Sequence, residues 1–204
     1  INNATKKMQI RDSKLSNKND ILNIKNKKKN VFSICRLVEQ KNIFEIFNIA
    51  KNLPIYNFLI LGDGYLYYQA KEYLKNEKIN NVYLLGNQKD IFKYLYSADL
   101  FLSTSLYEGH PISILEAISI GIPVVASKVT GNIDTIKHGD SGFFYKLGNV
   151  REAVSYIDKI LNNYYLRKKF SINAFKFHSK KFTIEKLKKS YFEVYRKYYV
   201  MINE

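Results

Sequence analysis

A single cysteine, Cys35, stands in the 204-residue chain. It excludes an internal disulfide and suits a reducing compartment, and at the end of an apolar run a lone thiol is ordinarily a small core group rather than a nucleophile. No apolar run approaches the roughly 20 residues that a membrane helix needs, and the first residues form no secretory hydrophobic block. The 3 histidines, His110, His138 and His178, are scattered with no Cys/His zinc spacing, so no protein-bound metal is expected. Acid is scarce as well: 18 Asp and Glu face 33 Lys and Arg, a net charge of +15. Such a surplus attracts polyanions, whether nucleotide diphosphates, anionic membranes or nucleic acid, and charge alone does not choose among them. Cytoplasmic residence is the expectation, with peripheral attachment to anionic lipid as an option.

What is present is a regular alternation. Short apolar runs at 31–35, 57–61, 82–85, 99–103 and 123–126 read as buried strands, and helical patterns fill 42–51, 66–76, 91–97, 111–120 and 151–162. This alternation predicts an α/β domain, a Rossmann-like doubly wound parallel sheet, whose ligand lies outside the carboxyl ends of the strands. The length suits one domain. The first thirty residues are crowded with Lys, Asn, Asp and Ser and read as a linker from Thr5 onward; the lysines at 25–29 read as a solvated charge run. At the far end Ile184, Leu187, Tyr191, Val194, Tyr195 and Tyr198 recur at helical spacing behind Thr183, a plausible cap. That face is expected to be packed, with part of its stripe left uncovered.

The segment Glu108-Gly-His-Pro-Ile-Ser-Ile-Leu-Glu116 carries the chemistry. It follows a strand, and Pro111 is placed for the first position of a helix. From Pro111 to Glu116 the rise is about 7.5 Å and side chains lean back toward the N-terminus, so both carboxylates address one ligand. Between them lie first-turn N–H groups at the positive end of the helix dipole. Carboxylates accept hydroxyl hydrogen bonds and amides hold phosphate, a combination that suits a sugar nucleotide.

The segment, with Gly121-Ile-Pro-Val-Val-Ala-Ser127 behind it, resembles the donor-site signature of retaining group 1 glycosyltransferases of the GT-B fold. The resemblance implies that Glu108 contacts the donor sugar and Glu116 the ribose, with backbone N–H groups of Gly109, His110, Ile112 and Ser113 along the sugar and diphosphate. His110 itself reads as a loop imidazole or a sugar contact. Ser33-Ile-Cys-Arg-Leu-Val-Glu-Gln-Lys41 is similar to the family's first strand and loop, which makes Arg36 and Lys41 the diphosphate clamp, a planar fork and a compact charge. Leu59-Ile-Leu-Gly-Asp-Gly64 is similar to the turn after the second strand, with Gly62 in the donor site, and Asn87 stands in the loop beside the nucleobase. Gly131-Asn-Ile-Asp134 and His138-Gly-Asp-Ser-Gly-Phe143 resemble the closing turn and hairpin, and Gly-Asn-x-Asp resembles a capsular and surface polysaccharide subgroup. Cys35 and Asn42 replace glycines usual in the family, and Asn42 is the milder change because Asn tolerates a left-handed backbone.

The implied function is binding of a nucleoside diphosphate sugar, UDP-sugar favoured, and transfer of a hexosyl unit with retention to a polysaccharide or lipid-linked glycan. No cofactor and no nucleic-acid partner are expected. The implied organisation is an interdomain or linker segment at 1–30, a donor-binding domain at 31–182 and a C-terminal helix at 183–204. At this length the chain is expected to be the C-terminal half of a two-domain enzyme, with the acceptor site on the N-terminal half and little transfer by this half alone. The alternative is an epimerase or a non-transferring nucleotide-sugar-binding domain on the same scaffold. A nicotinamide enzyme is excluded because Gly62-Asp-Gly64 continues to Tyr67, where G-x-G-x-x-G needs glycine.

Overall fold

The computed structural model describes residues 3–6 and 28–203, with the side chains of 197 and 199–203 excepted. Six strands form one sheet: β1 Asn30–Ile34, β2 Asn57–Leu61, β3 Val82–Leu84, β4 Leu100–Ser103, β5 Val124–Ser127 and β6 Gly142–Tyr145. Their spatial order is β3-β2-β1-β4-β5-β6, and every pairing is parallel. The chain therefore winds outward in one direction from β1 to β3, then returns to β1's other side and winds outward again. The crevice where the direction reverses lies between β1 and β4.

Seven α-helices are present among the described residues: α1 Ile43–Lys51, α2 Tyr67–Asn76, α3 Ile91–Leu95, α4 Ile112–Ser119, α5 Val150–Asn162, α6 Tyr164–Lys181 and α7 Ile184–Asn203. A strand points successive side chains to opposite faces, and a sheet covered on both faces is apolar along most of each strand. The strands follow this, with Asn30, Ser33, Asn57, Ser103 and Ser127 at or near their ends. Val31, Phe58, Ile60, Leu100, Leu102, Val125 and Tyr145 join the core under α1, α2 and α5. Their neighbours Phe32, Leu59, Leu61, Phe101, Val124, Ala126 and Phe144 join the core under α4 and α6.

The expected α/β architecture is present, and β2 falls on the residues expected for it. Four readings are corrected. The 138–143 segment is no hairpin: a tight turn, with Gly139 N–H donating to the Gly142 carbonyl, leads into β6, which pairs parallel to β5. Pro111 is not the first helical residue; its ψ of 110° is extended, and α4 starts at Ile112. The aromatic stripe of α7 is exposed, with Tyr191, Tyr195 and Tyr198 between 45% and 68% accessible. Of the expected linker, the lysines at 25–27 and the rest of 7–27 lie outside the described residues, as do Ile1 and Asn2. Thr5 is not loose: it is buried, forms a parallel bridge with Thr183 and bonds through Oγ1 to His178 Nε2 at 2.8 Å.

Candidate functional site

The loops at the carboxyl ends of β1 and β4 meet because the two strands are hydrogen-bonded neighbours. From the β1 loop Lys41 reaches across, and its Nζ donates to Glu108 Oε1 at 2.5 Å. Ser105 Oγ donates to the same carboxylate oxygen at 2.7 Å. The preceding residue, Thr104, donates through Oγ1 to the Lys41 carbonyl at 2.9 Å and the Asn42 carbonyl at 3.1 Å. Two consecutive hydroxyls at the end of β4 thus hold both members of one ion pair. The side chains of Lys41 and Glu108 keep 16% and 9% of their accessible surface, so the pair lines a cleft wall rather than the open surface. Ser33, Cys35, Ser105 and Ser113 line the same cleft.

Glycines make the loop packing possible. Gly62 has φ +131°, and a Cβ there would fall 2.0 Å from the Cys35 carbonyl oxygen, so the β1 and β2 loops touch backbone to backbone. Gly131, at φ +78°, plays the same part for Glu108, whose carbonyl oxygen would lie 2.2 Å from an added Cβ. A buried chain of polar groups continues from there. Asn132 Nδ2 donates to the Ser127 carbonyl at 2.9 Å, and Ser127 Oγ donates to the Ser105 carbonyl at 2.7 Å. Thr104, Ser105 and Ser127 were given no role from the sequence, and Asn132 entered only within the Gly-Asn-x-Asp string. The signal of the first three was there as hydroxyl residues ending apolar strand runs, at the edge where ligands of such sheets lie.

The start of α4, like those of α1 and α2, has no side-chain cap. Asp90, Asn149 and Asn163 cap α3, α5 and α6 through side chains that accept a first-turn N–H. Gly109 and Ile112 are exposed, Ser113 lines the cleft, and a Cβ at Gly109 would meet nothing within 4 Å. Ser113 brings the opening turn of α4 to the cleft wall. One α4 turn further on, Glu116 is half-buried, and burial pushes its carboxyl up to about 7.

His110 is half-buried, with both ring nitrogens unpartnered and the ring 5.4 Å from that of Phe182. Burial lowers its pKa against the pull of Asp134 in the other direction. Its carbonyl accepts Asn3 Nδ2 at 2.9 Å. Arg36 is exposed at the end of β1, on the same sheet edge as Glu108. Asn87 is exposed in the β3 loop, while its neighbour Gln88 ties that loop down by donating to the Leu85 carbonyl at 2.7 Å and accepting from Tyr94 Oη at 2.8 Å. Gly62 N–H donates to the Gly86 carbonyl at 2.8 Å, lacing the β2 and β3 loops together. Burial pushes the Cys35 thiol up to about 12, which leaves no thiolate for nucleophilic work. Among the described residues no group of three His, Cys, Asp or Glu side chains could hold a metal ion.

These features define a doubly wound α/β domain whose polar cleft sits at the point where the strand order reverses. Comparison with known proteins makes the class more particular. The model of glycosyl transferases group 1 matches residues 16–177, and the chain belongs to that family. It is 34% identical over 144 residues to the UDP-Gal:alpha-D-GlcNAc-diphosphoundecaprenol alpha-1,3-galactosyltransferase of Escherichia coli, covering 62% of this chain and 36% of that protein. It is 28% identical over 154 residues to the capsular polysaccharide biosynthesis glycosyltransferase CapM of Staphylococcus aureus, covering 72% and 40%. A variant of TarM from S. aureus, solved with fondaparinux, alpha-GlcNAc-glycerol and UDP, superposes with a TM-score of 0.78 at 26% identity, covering 81% of this chain and 35% of that one. The chain thus spans about two fifths or less of each of these proteins. The resemblance drawn from the sequence, and the GT-B half-fold it implied, both hold.

Proposed function

We propose that the protein to which this chain belongs transfers a hexosyl unit from a nucleoside diphosphate sugar to a hydroxyl of a polysaccharide or lipid-linked glycan, with retention. This chain carries the donor site. One observation supports the reading above the others: Lys41 and Glu108, from the loops of two adjacent strands, are brought to 2.5 Å beside the uncapped start of α4. A cation, a carboxylate and free amides at one point match a ligand with a diphosphate joined to a sugar. UDP-sugar is the favoured donor, in line with the donor named for the E. coli relative and the UDP held by the TarM variant.

In this reading Lys41, Arg36 and the first-turn amides of α4 stabilise the departing diphosphate. Charge grows on that group as the glycosidic bond breaks, so donors aimed there favour the transition state over the bound substrate. Lys41 passes from Glu108 to phosphate, and Glu108 turns its oxygens to the sugar hydroxyls. Glu116 accepts from the ribose, Gly62 and Asn87 border the nucleoside, and His110 closes the wall beside the sugar. The acceptor binds to the part of the protein outside this chain, so this chain alone binds donor and does not transfer.

No helix among the described residues is long and apolar enough to cross a membrane. Peripheral attachment through the +15 surplus fits a cytoplasmic enzyme that meets lipid-linked acceptors. Liposome sedimentation of the complete protein that is indifferent to anionic lipid and to salt would remove that part. Titration calorimetry of this chain with UDP, GDP and ADP tests the donor site, with UDP expected to bind and the other two more weakly. Release of nucleoside diphosphate by the complete protein, dependent on an added glycan acceptor, tests the transfer.

A further inference from the structure

Between Lys41 and α1 the backbone turns left-handed at Asn42, with φ 49° and ψ 48°. Glycine takes such a turn without cost, and Asn takes it more readily than other side chains when its amide finds a local partner. Here Asn42 Nδ2 donates to Glu45 Oε2 at 2.8 Å. The other oxygen of that carboxylate accepts the phenol O–H of Tyr145 at 2.7 Å, from a residue 100 positions away at the end of β6. Tyr145 is wholly buried and Glu45 is 8% exposed. Burial and the neighbouring carboxylate both push the phenol's pKa up, which keeps it a donor. A leucine and a phenylalanine would fill the same space without the cost of desolvating a carboxylate. The carboxylate is instead bonded through both oxygens, and one of them goes to the turn that carries Lys41. From the opposite side Thr104 Oγ1 bonds the carbonyls of Lys41 and Asn42.

We propose that Glu45 and Tyr145 are positioning residues for Lys41: the series Tyr145, Glu45, Asn42 locks the left-handed turn that aims the Lys41 ammonium across the cleft. The inference rests on the phosphate role proposed for Lys41. Removing the Tyr145 hydroxyl leaves Glu45 held on one oxygen, loosens Asn42 and lets the Lys41 loop sample turns that point the ammonium elsewhere.

Titration calorimetry of this chain with UDP, in a cycle with Lys41→Ala, tests it. Tyr145→Phe keeps the ring and is expected to weaken UDP binding about three- to tenfold, with no further loss once Lys41 is replaced. Asn42→Gly takes the turn unaided, so it should stay within about twofold of the parent and make Tyr145→Phe silent. Glu45→Gln keeps one acceptor and should fall between the parent and Glu45→Ala, which serves if Tyr145→Phe folds poorly. A lower melting temperature with unchanged UDP affinity would mean a packing role only and would overturn the proposal. So would a Tyr145→Phe effect that persists after Lys41→Ala or in the Asn42→Gly background. If Lys41→Ala itself leaves UDP affinity unchanged, the phosphate role falls and the positioning role falls with it; if Lys41→Ala weakens binding and Tyr145→Phe does not, the positioning role alone falls.

Discussion

The two edges of the sheet use similar residues in opposite ways. At the edge where the strands begin, buried polar side chains close on the protein itself. Asn81 Nδ2 lies 3.0 to 3.1 Å from the carbonyls of Ala50, Leu53 and Tyr56. Asn30 donates its N–H to Asp99 Oδ2 and its amide to the Ser97 carbonyl, and Asn57 donates to Asn30 Oδ1. At the edge where the strands end, Lys41, Ser105 and Glu108 bond side chain to side chain on a cleft wall, α4 starts without a cap, and both His110 ring nitrogens lack partners. Buried polar side chains that close on carbonyls, or like Asn57 and Asn30 on each other, stabilise the fold. Side chains that satisfy one another at a cleft can exchange that partner for a ligand.

Four measurements would break or sharpen this contrast. The largest effect is expected from Glu108→Gln in the complete enzyme, where transfer should drop about 10²- to 10³-fold while UDP affinity of this chain moves far less. Steady-state rates beside calorimetry decide it, and parent-like transfer by the variant would remove the sugar role. Next comes the opposite edge: Asn81→Ala should cost about 2 to 3 kcal/mol of stability in urea unfolding, because buried carbonyls lose their donor. UDP affinity should be untouched; a parallel fall in binding would mean the edges are coupled.

Lys41→Ala should weaken UDP binding about tenfold or more, the worth of one charge-assisted hydrogen bond to phosphate. The smallest effect concerns Glu116. Burial raises its carboxyl to about 7, and the ionised form is the one that accepts ribose hydroxyls, so UDP affinity should rise with pH through that range. A phosphate group also titrates near pH 6, and Glu116→Gln retains that part. The difference between the two proteins should be tenfold at most, about the gain in ionised Glu116. Stability runs the other way: an acid whose pKa is raised by folding favours the fold less as pH climbs through about 7, a decline that Glu116→Gln should lack.

Much of the frame was legible because burial on both faces makes a strand apolar along its middle. The run at 57–61 carries Phe-Leu-Ile-Leu behind Asn57, and β2 falls on the residues expected for it. β6 was not, since Gly-Phe-Phe-Tyr is only four residues long and the turn before it mimics a hairpin; only its pairing with β5 shows that the chain crosses over. α6 was missed because exposed apolar residues, Tyr164, Tyr165 and Ile172 among them, hide the stripe that Phe170, Ala174 and Phe177 make at helical spacing. The stripe on α7 misled in the opposite sense, for helical periodicity gives the face and says nothing of what lies against it.

Alternation of apolar runs and helical patterns, together with the spacing of Glu108 and Glu116, settled from the sequence that this is an α/β domain and which loops carry its polar chemistry. Periodicity and local spacing are properties of the chain, and no folded neighbour is needed to read them. The meeting of Lys41 with Glu108, the grip of Thr104 and Ser105 on both, and the reach of Tyr145 to Glu45 across 100 positions were decided by tertiary structure alone. Those contacts depend on strand order, because two loops distant in sequence touch only when the strands that bear them lie side by side.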